Sequence, residues 1–90
     1  MTDRLQPIYD IAAICAKKGL TNAVLCPGSR NAPLVLAFTR HPEMQPRTFS
    51  DERTAGFVAL GLAQNLKQPT ILVCTSGTAA FNFGPAVAEA

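Results

Sequence analysis

Residues 70–78 read Thr-Ile-Leu-Val-Cys-Thr-Ser-Gly-Thr, and this stretch decides the fold. Thr70 to Cys74 is the clearest strand signal in the chain, preceded by Pro69 and followed by a turn at Thr75-Ser76-Gly77-Thr78. A helix is expected from about Ala79. Going back along the chain, Asp51 is placed to cap a helix that runs to about Leu66. Before it, Arg47 to Ser50 gives a weaker strand signal. Pro33 fits the first turn of a shorter helix that reaches about Thr39 and stops at His41-Pro42. Asn22 to Cys26 is a short apolar run that reads as a buried strand, punctuated by Pro27-Gly28-Ser29. Leu5, Ile8, Ala12 and Cys15 repeat at helical spacing, so residues 3–18 read as an amphipathic helix. Thr2 or Asp3 can cap that helix, Pro7 lies in or near its first turn, and Lys17-Lys18-Gly19 closes it. The order is one helix, then strand and helix three times over. Strands separated by helices require right-handed crossovers, hence an α/β fold: a parallel sheet with helices on both faces.

Composition narrows the function. The 90 residues are 48% apolar and 16% charged, against about 25% charged in an average soluble domain, which excludes disorder. The net charge of +2 comes without any run of like charge, so no nucleic-acid partner is expected. The apolar stretches are all interrupted, so no membrane span or signal peptide is expected and the chain reads as cytoplasmic. Cys15, Cys26 and Cys74 form no Cys-x-x-Cys pair and no cluster with the single histidine, His41. Neither a disulfide framework nor a zinc site is therefore expected. His41, beside Pro42 in a loop, reads as exposed scaffold. The chain stops at Ala86-Val87-Ala88-Glu89-Ala90 in the middle of a helical pattern with no cap. The expectation is one domain over residues 1–90, truncated at its C-terminal end.

One helix departs from the surface pattern. Ala55 to Ala63 is nine residues without a charge, and a helix apolar all round is buried all round. Gly56, Ala59 and Ala63 make a small-residue stripe. The expectation is a subunit or domain interface, with a tight contact inside this domain as the alternative.

In an open parallel sheet, ligands bind beyond the carboxyl ends of the strands. Three segments fall there: Cys26 to Arg30, Ser50 to Arg53, and Thr75 to Thr78. Gly28 and Gly77 allow backbone close to a ligand, Ser29, Ser76 and Thr78 carry hydroxyls, and Arg30 carries a planar fork suited to carboxylate or phosphate. As structure, these are ordinary turns with helix caps. Walker A and dinucleotide signatures are both missing, and no Ser/His/acid triad can be assembled. Asp51 reads as a helix cap. Glu52 reads either as a first-turn acid favourable to the helix dipole or as a functional carboxylate: burial would raise its pKa and the helix N-terminus would lower it.

Cys26-Pro27-Gly28-Ser29-Arg30-Asn31-Ala32-Pro33-Leu34, Asp51-Glu52-Arg53-Thr54-Ala55-Gly56-Phe57 and Cys74-Thr75-Ser76-Gly77-Thr78-Ala79-Ala80 together resemble a known family. It is that of the thiamin-diphosphate-dependent 2-succinyl-5-enolpyruvyl-6-hydroxy-3-cyclohexene-1-carboxylate synthases of menaquinone biosynthesis. Asn82, Pro85-Ala86-Val87 and Glu89-Ala90 fit as well, so the likeness runs in matching order through essentially the whole chain. The glutamate and the Ser-Gly turn are shared by many thiamin-diphosphate enzymes. Acetohydroxyacid synthase-like members carry Gly-Pro-Gly where this chain has Gly77-Thr78-Ala79, which argues against that branch.

The resemblance implies a flavodoxin-like pyrimidine-binding domain, the N-terminal part of an enzyme that uses thiamin diphosphate and Mg²⁺. Such enzymes decarboxylate 2-oxoglutarate and add the succinyl unit to isochorismate. Glu52 matches the glutamate that hydrogen-bonds the aminopyrimidine and promotes its imino tautomer. Pro27, Thr75, Ser76 and Gly77 match cofactor-contacting positions, and Ser29 and Arg30 match positions at the isochorismate end. The diphosphate and metal ligands belong to a domain outside this sequence, so the 90 residues alone are expected to be inactive. In the family that domain comes from another subunit, which would make the chain a homo-oligomer through Ala55 to Ala63. Two other classes compete: a standalone flavodoxin-like module binding an anion at Arg30, and a structural subunit that docks through the charge-free helix.

Overall fold

The computed structural model describes residues 2–28, 30–75 and 77–90. Helix α1 (Thr2–Lys17) leads into β1 (Asn22–Leu25), α2 (Ala32–Arg40), β2 (Gln45–Thr48), α3 (Glu52–Leu66) and β3 (Ile71–Val73). A 3-10 helix (Gly77–Phe83) and α4 (Gly84–Glu89) follow. The three strands are parallel in the order β2-β1-β3. The central strand β1 is buried along its whole length, whereas β2 is mostly exposed. That contrast explains the faint sequence signal of β2. An edge strand needs no apolar run and tolerates Pro46, which has no N–H to donate. It starts two residues earlier than its apolar residues suggest, at Gln45 instead of Arg47.

Alternate residues of β1 feed two cores. Ala23 and Leu25 pack with Val73, Ala12, Ala16, Ala37 and Phe38, the layer of α1 and α2. Val24 and Cys26 pack with Ala55, Ala59 and Phe83, the layer of α3 and the 3-10 helix. Helices thus cover both faces of the central strand, as its full burial requires. The end of α1 is fixed by Gly19, whose φ of 81° is left-handed. Leu20 N–H reaches back to the Cys15 carbonyl at 2.9 Å and Gly19 N–H to that of Ala16 at 3.0 Å, the paired bonds of a Schellman cap. Pro7 lies inside α1 rather than at its start, so one backbone hydrogen bond of the helix is lost there.

Two sequence expectations change. The last helix does not begin at Ala79: the chain coils into the tighter 3-10 form from Gly77 and becomes α-helical only at Gly84. The charge-free helix is not buried all round. Ala55, Gly56 and Ala59 are buried, but Phe57 is 43% exposed. A Cβ on Gly56 would stand 3.1 Å from the Ala86 Cβ and 3.6 Å from the Phe83 ring. The small-residue face of α3 therefore seats the chain's own C-terminal segment at Gly56.

Asp51 caps α3 as its sequence position indicates. Its carboxylate accepts from Thr54 N–H at 3.1 Å and from the Thr54 hydroxyl, and these bonds hold its pKa below the usual carboxylate value of 3.8. A depressed folded-state pKa contributes stability above the unfolded pKa and loses it as pH falls through the folded value. Thermal unfolding midpoints should therefore hold steady from pH 7 to 5 and decline below about pH 4. Asp51→Asn should flatten part of that decline, and an unchanged acid slope would count against the cap.

Candidate functional site

The connection from β1 to β2 runs to one side of the sheet, and the next connection crosses back over β1 to place β3 on its other side. With right-handed crossovers, that reversal opens a crevice at the carboxyl ends of β1 and β3. The loops after those strands meet there. A Cβ on Gly28 would fall 2.8 Å from the Thr75 Cβ and 3.0 Å from its Oγ1. Gly28 does not adopt a left-handed backbone; it is required because the second loop occupies the space of its side chain.

Asn31 holds the first loop in shape. Its Oδ1 accepts from Gly28 N–H at 2.7 Å and its Nδ2 donates to the Cys26 carbonyl at 2.9 Å. The side chain is buried although it stands at the cap position of α2, where it makes no capping bond. Sequence reasoning overlooked this residue. The available signal was an asparagine three residues after a Pro-Gly turn, a spacing from which its amide can close on the loop behind it.

Gly28→Ala should destabilise the chain by about 1–3 kcal/mol, the usual cost of overpacking. Thr75→Ala should not rescue it, because the clashing Cβ remains, whereas Thr75→Gly should restore part of the loss. Denaturant midpoints of the two double variants decide the matter.

Glu52 enters from the third side as the first residue of α3, half-buried. Burial, then the Glu52 charge, then neighbouring Cys74 push the Cys26 thiol up to about 11. Burial and Glu52 also raise Cys74. One carboxylate thus acts on both strand ends, and Glu52 shares the crevice with the two loops. Both thiols stay protonated near neutral pH. Pro27 and Arg30 are exposed on the outer part of the first loop, and Thr75 is half-buried in the second. Gly77 opens the 3-10 helix. Ser29 and Ser76 lie outside the described residues. The Asp51 carboxylate is engaged by Thr54. His41 is half-buried, its Nδ1 accepting from Glu43 N–H at 3.2 Å. Among the described residues no cluster of His, Cys, Asp and Glu could hold a metal ion, and no helix is long and apolar enough to cross a membrane.

The profile of the thiamine pyrophosphate enzyme N-terminal TPP-binding domain matches residues 9–90. The chain belongs to this family. A 2-succinyl-5-enolpyruvyl-6-hydroxy-3-cyclohexene-1-carboxylate synthase of Cytophaga hutchinsonii is 50% identical over 86 residues, 96% of this chain. Synthases of the same name from Christiangramia forsetii and Bacillus velezensis are 55% identical over 80 residues and 56% identical over 75. These cover 89% and 83% of this chain. The chain spans only about 13–15% of the length of these relatives. Family membership turns the crevice at Glu52 from a topological candidate into a candidate pyrimidine site.

Proposed function

We propose that this chain is the pyrimidine-binding part of a thiamin-diphosphate-dependent synthase that decarboxylates 2-oxoglutarate and adds the succinyl unit to isochorismate in menaquinone biosynthesis. The observation that carries the reading is Glu52, half-buried at the start of α3, whose charge reaches the ends of both β1 and β3, where the Gly28 and Thr75 loops meet. The residues fit an uncharged nitrogen ring: the half-buried Glu52 carboxylate acts on the ends of β1 and β3, the two thiols beneath are protonated, and the loops above them pack together at Gly28 and Thr75. Thiamin diphosphate supplies an acidic carbon that becomes a nucleophile toward the keto acid. Glu52 would hydrogen-bond the pyrimidine ring nitrogen. Pro27, Thr75, Ser76 and Gly77 would contact the cofactor, and the Asn31 clamp holds the first loop in shape. Mg²⁺ and the diphosphate are held by residues beyond this sequence, so the 90 residues alone should not turn over. The outward face of α3, with Phe57 exposed, is the part of that helix left to contribute to a homo-oligomer. The complete enzyme works in the cytoplasm.

Ser29 and Arg30 would serve isochorismate: a guanidinium grips a carboxylate through two parallel bonds, where a lysine offers a point charge. In the complete enzyme, with thiamin diphosphate and Mg²⁺ saturating, Arg30→Lys should raise the KM for isochorismate roughly tenfold, as expected for loss of one charged hydrogen bond. Cofactor affinity should be unchanged. Wild-type isochorismate kinetics in the variant would remove Arg30 from the site. A complete enzyme that never consumes 2-oxoglutarate in the presence of isochorismate would overturn the assignment itself.

A further inference from the structure

Cys26 and Cys74 sit one residue beyond the paired ends of adjacent parallel strands. The ladder aligns Leu25 with Val73, and Cys26 N–H continues it by donating to the Val73 carbonyl at 2.9 Å. In a parallel ladder that bond makes Cys74 the register partner of Cys26. Alternation sends both side chains to the same face, and both pack in the core beneath α3. Neighbouring strands lie about 4.8 Å apart, inside the roughly 4.4–6.8 Å range of Cα separations that a disulfide spans. Cys15, the third cysteine, packs against the opposite core under α1 and α2. All three are free thiols.

We propose that Cys26 and Cys74 form a cross-strand dithiol, a modification site that a low-molecular-weight disulfide converts into an internal bridge at the head of the sheet. The inference rests on register and side-chain face and is independent of the enzymatic reading. Cys74 is the half-buried member and Cys26 the buried one, so exchange begins at Cys74. Its thiolate attacks one sulfur of oxidised glutathione, the glutathione disulfide bond breaks, and the first glutathione leaves as thiolate. The Cys26 thiolate then attacks the Cys74 sulfur of the mixed disulfide and expels the second glutathione. Two protein thiols are oxidised, one glutathione disulfide is reduced to two thiols, and the two cysteine protons end on the departing glutathiones. Burial and the Glu52 charge keep both thiols protonated, so exchange is slow at neutral pH and accelerates with rising pH, because only thiolate reacts. The bridge joins the residues that precede Pro27-Gly28 and Thr75, and so locks together the two loops that meet at the crevice.

The test uses the 90-residue chain, native and denatured in guanidinium, incubated with oxidised glutathione at pH 8.5. Trypsin places each cysteine on its own peptide: Cys15 on 5–17, Cys26 on 19–30 and Cys74 on 68–90. Native chain should lose two of its three thiols, gain no retained glutathione, and yield 19–30 joined to 68–90. Denatured chain should also give links to 5–17. Cys26→Ser should stop at a stable mixed disulfide on Cys74, and native Cys15→Ser should bridge as wild type does. Persistent glutathione on wild-type Cys74, a native link involving Cys15, or three thiols surviving would each overturn the proposal. Because the wild-type map needs no substitution, misfolding of a variant cannot mask the result.

Discussion

Replacing Glu52 by glutamine should slow the complete enzyme by roughly 100-fold or more, the range associated with groups that transfer protons in the rate-limiting steps. Glutamine keeps the length, shape and a hydrogen bond of the side chain but has no acidic proton to hold against the ring nitrogen. The cap of α3 belongs to Asp51, so the helix should survive the change intact. Proton–deuterium exchange at C2 of the bound cofactor is the direct readout. It should collapse in Glu52→Gln and persist in Asp51→Asn, and the reverse pattern would end the assignment. The 90-residue chain offers a second readout that does not depend on chemistry. Since the Glu52 charge raises both Cys26 and Cys74, Glu52→Gln should let both thiols ionise at lower pH. Thiolate absorbance titrations that leave them unmoved would show that the carboxylate does not face the crevice.

Asn31→Ala should be the most damaging single change to stability among the loop residues. It removes two hydrogen bonds of 2.7 and 2.9 Å and leaves the Cys26 carbonyl buried without its side-chain partner. The lost Gly28 bond is worth about 1 kcal/mol and the stranded Cys26 carbonyl about 1–3, so the total is about 2–4 kcal/mol. For a chain of this size that lowers the thermal midpoint by roughly 10–25 °C, a large part of a stability of about 5–10 kcal/mol. Asn31→Asp separates the two bonds. It retains the acceptor for Gly28 N–H but sets a carboxylate oxygen against the Cys26 carbonyl, and it should destabilise nearly as much. Calorimetric midpoints within 3 °C of wild type for Asn31→Ala, far inside that roughly 10–25 °C fall, would mean that the loop is held by packing alone.

Much of the molecule was legible before any coordinates. Asp51, Gly19 and Pro33 mark helix ends through local stereochemistry that operates within a few residues, and the structure bears these out. The buried strand at Asn22 to Leu25 declared itself through an uninterrupted apolar run, because a strand covered on both faces has no polar alternation to show. The edge strand β2 did not, since solvent on its free side relaxes the demand for apolar residues. Family membership was legible too, in the three motif segments at Cys26 to Leu34, Asp51 to Phe57 and Cys74 to Ala80.

What the sequence determined by itself was the order of elements, their handed assembly into a parallel sheet, and the choice of loops that reach its carboxyl edge. Those follow from short-range propensities and from chirality, which act along the chain. Only the tertiary structure decided which distant residues touch. It set the Gly56 face of α3 against Ala86 and Phe83 of the chain's own C-terminal segment. It also filled the missing side chain of Gly28 with Thr75, turned Asn31 from a helix cap into a loop clamp, and brought Cys26 into register with Cys74. Each is a contact between segments far apart in sequence or a competition for one side chain's hydrogen bonds. Such outcomes depend on close packing in three dimensions, which no pattern read along one strand or helix encodes.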